Sequence, residues 1–422
     1  MGIDRRPPGF DSSLCPEYAG NAVKTNRRHF LAGLSAIAPL SSLSLKASAE
    51  VAATPDYFAN LGVRPFINAI GPYSSLGGAE MWPEVIDAMD YAIKNKARMS
   101  DLHDAVGRRI AELTGAAAAM VTSGATCGII LGTAACMTMG DEAKMERLPN
   151  TSGMANEVII LKRQRYLYDR SIRAPGAKLV EVDSVADIRA AINPATAMLF
   201  YLLNRPDDDT IDIAEYVAIA KEHGVPILCD AATTVPPIAN LKATVAAGFD
   251  LICYSGGKGL RGPYSAGLLL GRPDLIEIAR RNGSPNHRAY GRSMKVAPEE
   301  YLGMMIAVEK SMTFDEEAEY QRRLDIVNLM GRDLSTIKGV ETFTRTPGAE
   351  AREPYIEVHW DADLYKITPA AVKQALRDGD PSIEIRALFL SDGQVHLTAT
   401  MLKQGEAEIV SSSLKEILLA SA

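Results

Sequence analysis

Apolar and polar residues follow a repeating pattern in the middle of the chain. Between about residues 116 and 271, short runs that are almost entirely apolar are separated by helical stretches such as IDIAEYVAIAKEHG. Strands that are apolar on both faces and are joined by helices form mostly parallel sheets with helices on both sides. The pattern therefore predicts an α/β domain, with strands at AAAAMVTS, EVIILK, KLVEV, AMLFYLL, VPILCDAA, DLICYSG and SAGLLLG.

The pattern differs on either side of this region. A loop-rich arm leads to a helix from about Pro83, and VGRRIAELTG is typical of an amphipathic helix that ends at Gly115. From about residue 298, a long helical stretch precedes PYIEVHWD, SIEIRALFL and QVHLTA, which we expect to be antiparallel strands, with a helix around TPAAVKQALRDG. The predicted divisions are an N-terminal segment (1–49), an arm with helices (50–115), a large domain (116–297) and a smaller α+β domain (298–422).

The first 49 residues have the features of an export signal. Arg27 and Arg28 precede Phe30 and Leu31, a mildly apolar segment follows, and residues 47–49 (Ala-Ser-Ala) form a small-x-small cleavage site. We interpret this segment as a twin-arginine signal peptide. That interpretation implies the twin-arginine translocase as a partner and a periplasmic or secreted protein. The alternative is a basic extension of a cytoplasmic protein.

Composition and charge argue against two classes of protein. The chain has 422 residues, of which 47% are hydrophobic and 23% charged, as in ordinary globular proteins. No apolar run approaches the roughly 20 residues that a membrane span needs. Residues 50–422 contain 39 Lys and Arg against 49 Asp and Glu, a formal charge of −10. This charge argues against nucleic acid as a partner. The five cysteines show no metal-ligand spacing, so no metal is expected.

Three features at strand ends carry the candidate chemistry. In VTSGATCGIILGTAACM, residues 123–126 form a strand-to-helix turn, where free backbone N–H groups and the helix dipole bind phosphate. In VPILCDAATTVPP, Asp230 ends a buried strand, where a carboxylate needs a positive partner. Lys258 follows 28 residues later, at the end of the next strand, among glycines. Each feature alone has an ordinary explanation: a compact turn, a helix cap and a surface lysine.

Together, the three features indicate a cofactor site. The interval between Asp230 and Lys258 holds one helix and one strand, so both side chains are expected at the same edge of one parallel sheet. A protonated pyridine nitrogen suits the carboxylate, and the lysine suits a Schiff base with an aldehyde. We expect the glycines to let the backbone approach a flat ring and its phosphate. The order of the features is that of fold-type-I pyridoxal 5′-phosphate (PLP) enzymes. PLP is therefore the expected cofactor.

Longer stretches resemble one group of these enzymes. The similar segments are DAATTVPPIANLKATVAAGFDLICYSGGKGLRGPYSAGLLLGRPDLI, INAIGPYSSLGGAEMWPEVIDAM, LTGAAAAMVTSGATCGIILGTAACM, TSGMANEVII, GRSMKV and GDPSIEIR. They resemble the family of D-glucosaminate-6-phosphate ammonia-lyase and bacterial selenocysteine synthase (L-seryl-tRNA selenium transferase), and the former more closely. The resemblance covers nearly all of the chain after residue 60. It implies the fold-type-I architecture, a mostly parallel-sheet large domain with a smaller C-terminal domain, and a homodimer or higher homo-oligomer.

The resemblance also implies roles for individual residues. Lys258 is the Schiff-base lysine, Asp230 the partner of the pyridine nitrogen, and Thr233 a neighbour of the ring hydroxyl. The residues implied at the cofactor phosphate are Ser123, Gly124, Ala125, Thr126 and Ser255. The residues implied for the substrate are Arg386, at a carboxylate, and Arg292 and Lys295, at an anion such as phosphate. For these three, a solvated surface position is the alternative.

Gln164 departs from the family pattern. Relatives often have a histidine near this position, followed by an arginine, here Arg165. Because glutamine does not titrate, a reaction other than ammonia elimination stays an alternative. Tyr166 or Tyr168 is a candidate to stack on the cofactor in place of the histidine. The other acid–base candidates are His103, His223 and His287, with structural or surface roles as the alternative.

The expected function is an α,β-elimination from an amino acid or amino sugar acid, as in an ammonia-lyase, with Lys258 removing the proton at Cα. An amino-acid racemase or a transaminase shares the early steps and stays an alternative. The negative charge and the export signal disfavour an L-seryl-tRNA selenium transferase. Retention of both Lys258 and Asp230 disfavours a non-catalytic binder with the PLP fold. The sequence does not distinguish between substrates.

Overall fold

The computed structural model of the protein describes residues 55–203, 212–346, 353–387 and 394–422. The predicted signal peptide, with Arg27 and Arg28, lies outside the described residues. The helices are α1 (Tyr57–Leu61), α2 (Pro83–Lys94), α3 (Met99–Thr114), α4 (Gly124–Thr138), α5 (Glu142–Arg147), α6 (Arg170–Arg173), α7 (Val185–Ala191), α8 (Ile213–Glu222), α9 (Ala239–Ala246), α10 (Pro273–Arg281), α11 (Pro298–Ser311), α12 (Glu316–Leu334), α13 (Pro369–Asp378) and α14 (Glu406–Ala420). The strands are β1 (Phe66–Asn68), β2 (Ala118–Thr122), β3 (Glu157–Leu161), β4 (Lys178–Val182), β5 (Thr196–Leu202), β6 (Ile227–Asp230), β7 (Leu251–Ser255), β8 (Gly267–Gly271), β9 (Val340–Arg345), β10 (Tyr355–Trp360), β11 (Ser382–Glu384) and β12 (Gln394–Thr398).

Seven of these strands form one central sheet. Their order is β2-β8-β7-β6-β5-β3-β4, and they correspond to the seven apolar runs of the sequence. Strand β8 is antiparallel to both of its neighbours, and the other pairs are parallel. The predicted α/β class with a mostly parallel sheet is therefore confirmed. Because β6 and β7 are neighbours and parallel, their carboxyl ends lie at the same edge of the sheet.

Each face of this sheet is covered by helices. Along β3, Ile159 and Leu161 belong to one apolar cluster, while Val158 and Ile160 belong to another, as the alternation of side chains across a strand requires. The first cluster includes residues of α2, α3 and α11, and the second includes residues of α4 and α10. All four of these β3 side chains are fully buried, which explains the absence of polar alternation in the sequence.

A second, smaller sheet lies in the C-terminal part of the chain. Strands β12, β10 and β9 pair antiparallel in that order, and their apolar face packs with α12, α13 and α14. The expected antiparallel pairing of PYIEVHWD and QVHLTA is confirmed, whereas β9 was missed by the sequence analysis.

The expectation of antiparallel pairing for SIEIRALFL is confirmed only at Arg386, which forms an antiparallel bridge with His396 of β12. Strand β11 itself pairs in parallel with β1, with Phe66 opposite Ser382. Ile67, next to Phe66, lies in the core of the small domain. The N-terminal arm thus completes the C-terminal domain, a partnership that no local pattern records.

The long helical stretch after residue 298 is two helices. Helix α11 packs in the core beside the large sheet, through residues such as Met304, whereas α12 contributes Val327 to the core of the small domain. The carboxylate of Asp315 caps α12 by accepting a hydrogen bond from the backbone N–H of Ala318 at 2.9 Å. The change from one core to the other therefore falls between the two helices rather than at residue 298. Among the described helices, none combines the length and apolarity that crossing a membrane takes.

Candidate active site

Lys258 lies in the tight loop that joins β7 to β8. The glycines on either side of it contact the protein's own backbone. A Cβ atom on Gly259 would lie 2.2 Å from the carbonyl oxygen of Val235, and one on Gly257 would lie 2.8 Å from Cα of Tyr264. The packing of the loop against the protein's own backbone therefore itself requires these glycines.

Asp230 ends β6 at the same sheet edge and is 5% exposed. Its carboxylate accepts hydrogen bonds from the hydroxyl of Tyr166 and from the backbone N–H of Ala232, the latter at 3.0 Å. Burial raises the pKa of Asp230, while these hydrogen bonds and the charge of Lys258 lower it. Burial also lowers the pKa of Lys258, and the charge of Asp230 opposes this. The charges of the buried Asp230 carboxylate and the desolvated Lys258 amine therefore interact.

The N-terminus of α4 forms the third part of the site. The helix begins at Gly124, whose φ is +79°, and the side chain of Ser123 does not cap it. A Cβ atom on Gly267 of β8 would lie 2.6 Å from the carbonyl carbon of Gly124, so this glycine lets the helix end approach the sheet. In the sheet, Gly267 pairs with Ser255 on one side and with Thr122 on the other. Residues 123–126 and Ser255 therefore lie at one edge, with backbone N–H groups of the first turn available to an anion.

A cavity of about 460 Å³ opens beside Lys258. Thr233 and Lys258 line it from the large domain, and Arg386 lines it from the small domain. The other lining residues include Ser74, Tyr168, Tyr355, His396 and Thr398. A second cavity of about 270 Å³ shares Lys258 and Gly259 with the first. The structure thus brings Arg386 to the lysine across 128 residues of sequence, as the resemblance implied.

Comparisons with known proteins decide what this arrangement is. The family profile described as "Cys/Met metabolism PLP-dependent enzyme" matches residues 96–270. A 5′-C-glycyluridine monooxygenase-decarboxylase from a Streptomyces species is 30% identical over 375 residues, which are 86% of this chain and 92% of the relative. The chain belongs to the PLP-dependent enzymes. More exactly, it is a fold-type-I enzyme of this family, as its sheet order and its two domains show.

Other relatives of this PLP enzyme agree with the resemblance found in the sequence. The D-glucosaminate-6-phosphate ammonia lyase of Salmonella typhimurium is 29% identical over 354 residues, 81% of this chain and 92% of that protein. A solved structure of D-glucosaminate-6-phosphate ammonia-lyase, 28% identical, matches with a TM-score of 0.77 and covers 87% of this chain and 99% of its own. An L-seryl-tRNA(Sec) selenium transferase of Carboxydothermus hydrogenoformans is 26% identical over 249 residues, 52% of this chain and 51% of that protein. The predicted family, PLP cofactor and PLP-dependent lyase class are confirmed.

The residues at the sheet edge fit PLP. The amine of Lys258 is desolvated, which favours the neutral form that condenses with an aldehyde. The carboxylate of Asp230 is buried and lacks a cationic hydrogen-bond partner among the described residues, which suits a protonated pyridine nitrogen. The first turn of α4 supplies the N–H groups that a phosphate requires. These three groups lie at one edge of the sheet, in the order that the sequence predicted.

Gln164 does not stand where it can contact the cofactor. Its side chain is fully buried, and its amide donates to the carbonyl of Leu202 at 3.2 Å and accepts from the N–H of Leu202 at 3.0 Å. Gln164 therefore fixes the end of β5. Two tyrosines were proposed to stack on the cofactor. The hydroxyl of Tyr166 donates a hydrogen bond to Asp230, while Tyr168 lines the cavity and is 55% exposed.

Arg292 and Lys295 are not brought to this site. Lys258 lines two cavities, and neither Arg292 nor Lys295 is among the residues that line them. The guanidinium of Arg292 instead donates to the hydroxyl of Ser284 at 3.4 Å. Their predicted role at a substrate anion thus has no support from the arrangement of the described residues.

The three histidines named from the sequence lie elsewhere as well. His103 is buried against the hydroxyl of Tyr301, and burial lowers its pKa to about 4. His223 follows α8 and His287 lies in a loop, and both are exposed. The histidine that lines the cavity is His396 of β12, which the sequence analysis missed. The signal was present in QVHLTA, where His396 and Thr398 alternate with apolar residues.

Proposed function

We propose that the enzyme catalyses an α,β-elimination from an unphosphorylated amino acid or amino sugar acid, in which the proton at Cα and a β-substituent are lost and hydrolysis of the enamine product releases ammonia and a 2-oxo acid. The observation that carries the proposal is the cavity that Lys258 lines from the large domain and Arg386 from the small domain, with the buried Asp230 close enough to Lys258 for their charges to interact. The lyase relative supports elimination as the reaction. The absence of Arg292 and Lys295 from the residues that line this cavity supports a substrate without phosphate.

Each residue has a distinct part in this reaction. Bound PLP withdraws electrons from the bonds at Cα of an amino acid. Lys258 takes the proton from Cα, because burial lowers the pKa of its amine and so favours the neutral form that accepts a proton. Asp230 holds positive charge on the pyridine nitrogen. Arg386 orients the substrate by pairing with its carboxylate, for which the planar guanidinium is suited.

The reaction is tested with purified holoenzyme and a panel of substrates. The panel contains both enantiomers of serine and threonine, and D-glucosaminate with and without a 6-phosphate. We expect equal amounts of ammonia and a 2-oxo acid to be released from an unphosphorylated substrate without any added amino acceptor. Inversion of the configuration at Cα without release of ammonia would identify a racemase. A requirement for an amino acceptor would identify a transaminase, and release of carbon dioxide would identify a decarboxylase. Each of these outcomes would overturn the proposal.

Arg386→Ala tests the substrate contact in the same assay. We expect KM to rise about 10- to 100-fold for every substrate, because a charge-assisted hydrogen bond to a carboxylate contributes roughly 1.5 to 3 kcal/mol. The matched control is the double variant Arg292→Ala with Lys295→Ala, which should leave kcat/KM unchanged. A loss in this double variant that is confined to phosphorylated substrate would instead assign the pair to a phosphate.

We also propose that the enzyme is exported by the twin-arginine translocase and works in the periplasm. The support is the paired arginines and the cleavage site of the sequence, together with the need for a cofactor, because the twin-arginine route carries proteins that are already folded. Replacing Arg27 and Arg28 with lysine should confine the protein to the cytoplasmic fraction, as measured by fractionation and immunoblotting. Lysine replacements of Arg5 and Arg6, another arginine pair, serve as the control and should not affect export. An unchanged periplasmic fraction in the first variant would contradict the proposed signal.

We further propose a homodimer or a higher homo-oligomer. The short helix α1 has no buried residue, and its Tyr57, Phe58 and Leu61 are 66%, 57% and 76% exposed. Large apolar side chains gathered on a surface are typical of a protein interface. Sedimentation equilibrium of the purified protein tests this proposal.

A further inference from the structure

The second cavity beside Lys258 has no part in the reaction as proposed above. Its volume is about 270 Å³, and it has five residues in common with the first cavity, namely Pro72, Pro236, Lys258, Gly259 and Glu353. A ligand held at Lys258 can therefore extend a side chain into it. Ligand pockets usually measure about 300 to 1,000 Å³, so this cavity suits one end of a substrate rather than a whole one.

Arg261 brings a positive charge into the second cavity. Its backbone N–H donates to the carbonyl oxygen of Lys258 at 2.9 Å, which closes a turn of four residues. The Cα atoms at the two ends of such a turn lie less than about 7 Å apart. The side chain of Arg261 is half-buried and lines the cavity. Arg261 is thus a near neighbour of the reacting lysine.

The N-terminal arm fixes the orientation of the Arg261 guanidinium. Its Cζ lies 3.7 Å from the centre of the Trp82 ring, and its Nε donates to the carbonyl oxygen of Glu80 at 2.9 Å. The indole N–H of Trp82 in turn donates to the carbonyl oxygen of Leu260 at 3.2 Å. The backbone of Arg261 has a φ of +51°, which is unfavourable for a large side chain. The surrounding contacts therefore hold this arginine in place.

The two terminal nitrogens of Arg261 have no acceptor among the described residues, and no carboxylate there forms an ion pair with it. Two other arginines line the same cavity, but Arg322 and Arg323 each pair with Glu319 at 2.8 Å. Burial lowers the pKa of Arg261, because its charge is desolvated without a close partner. The guanidinium therefore offers a free edge to an anion.

The other carboxyl groups of the cavity limit the charge of that anion. Both oxygens of Glu316 accept from the backbone N–H of Ile238, at 2.8 and 3.0 Å. Burial raises the pKa of Glu353 and so favours its neutral form, although the charge of a nearby arginine opposes this. Glu80 is exposed to solvent, which screens its charge. The one unpaired cation, Arg261, therefore suits a carboxylate better than a doubly charged phosphate.

We propose that Arg261 binds a second carboxylate, at the end of the substrate's side chain, so that the enzyme selects acidic amino acids. Arg386 holds the α-carboxylate in the first cavity, while Arg261 holds the distal carboxylate in the second. A planar guanidinium with a free edge pairs with a carboxylate through two parallel hydrogen bonds. This assignment names the substrate class of the reaction proposed above and rests on it.

The experiment compares ligands that differ in charge but hardly in shape. Both enantiomers of aspartate are paired with those of asparagine, and glutamate is paired in the same way with glutamine, on the holoenzyme. None of these ligands has a good β-leaving group, so dissociation constants are measured from the change in cofactor absorption without elimination. We expect the acid of at least one pair to bind at least about tenfold more tightly than its amide. Equal affinities within every pair would overturn the proposal.

Variants locate the preference on Arg261. Arg261→Met, which keeps the length of the side chain and can still pack on Trp82, should reduce the preference to less than threefold. Arg261→Lys, which is charged but not planar, should retain part of it. The matched control is Arg322→Met, since Arg322 lines the same cavity but already makes two hydrogen bonds to Glu319. This control should leave the preference unchanged, whereas a full preference in Arg261→Met would contradict the site.

Chemical modification of the wild-type holoenzyme tests the same contact and decides the question if Arg261→Met does not fold. Phenylglyoxal reacts with accessible guanidinium groups, and peptide mass spectrometry locates the products. The acid of the preferred pair should protect Arg261 and its amide should not, while both should protect Arg386. An Arg261 that does not react, or that reacts equally with either ligand present, would contradict the site.

Binding and turnover are scored separately. A preference for acids without ammonia release from any substrate of the panel would support this site and contradict the proposed elimination. Ammonia release without any preference for acids would contradict the site and spare the reaction.

Discussion

Lys258→Ala is expected to lower kcat by on the order of 10⁴-fold, because in the proposed reaction the lysine is both the nucleophile that holds the cofactor and the base at Cα. The variant should also lose the visible absorption of the Schiff base. Borohydride reduction followed by peptide mass spectrometry measures the attachment directly and should label Lys258 in the wild-type protein. The desolvation of this amine is the structural reason, since it favours the neutral nucleophile.

The control for this variant is Lys162→Ala. Lys162 is exposed and pairs with Asp183 at 3.0 Å, away from the cavity, so its removal should leave the spectrum and the activity unchanged. If borohydride reduction attached the cofactor to a peptide that lacks Lys258, the assignment of Lys258 would be contradicted.

Asp230→Asn is expected to reduce kcat by about 10²- to 10³-fold while retaining part of the bound cofactor. Asparagine preserves the size of the side chain and can still accept from Tyr166, but it cannot carry the negative charge that stabilises a protonated pyridine nitrogen. Because burial raises the pKa of Asp230, the ionised form depends on a positive charge nearby. Steady-state kinetics at saturating PLP measure the effect.

Tyr166→Phe separates the charge of Asp230 from its orientation. This variant removes one hydrogen bond to the carboxylate and leaves the charge, so its loss of activity should be much smaller than that of Asp230→Asn. Near-normal turnover of Asp230→Asn would exclude Asp230 from the mechanism.

The lysine, the aspartate and the phosphate turn were predictable from the sequence. Asp230 and Lys258 each end an apolar run, and neighbouring parallel strands bring their carboxyl ends to one edge of a sheet. This consequence follows from strand geometry alone, so short segments were enough to predict that the two side chains meet. The apolar runs themselves reflect burial on both faces of the sheet, as the alternate clusters on β3 show.

The opposite wall of the site depended on contacts that no local pattern contains. Arg386 and His396 reach Lys258 only through the packing of the small domain, whose core also takes in Ile67 of the N-terminal arm. Gln164 illustrates the converse. The sequence showed only that it stands near a position where relatives often have a histidine, whereas the structure shows that it is buried and hydrogen-bonded to the backbone of Leu202.

The sequence by itself therefore determined the family, the cofactor and the half of the site that belongs to one sheet edge. The tertiary structure decided which further side chains line the cavity, and it placed His396 there rather than His103, His223 or His287. The physical reason is that the pairing of neighbouring parallel strands places their carboxyl ends together, and this follows from short-range chain geometry. A cavity wall follows instead from the long-range packing of two cores, and residues far apart in the sequence carry no shared signal of that packing.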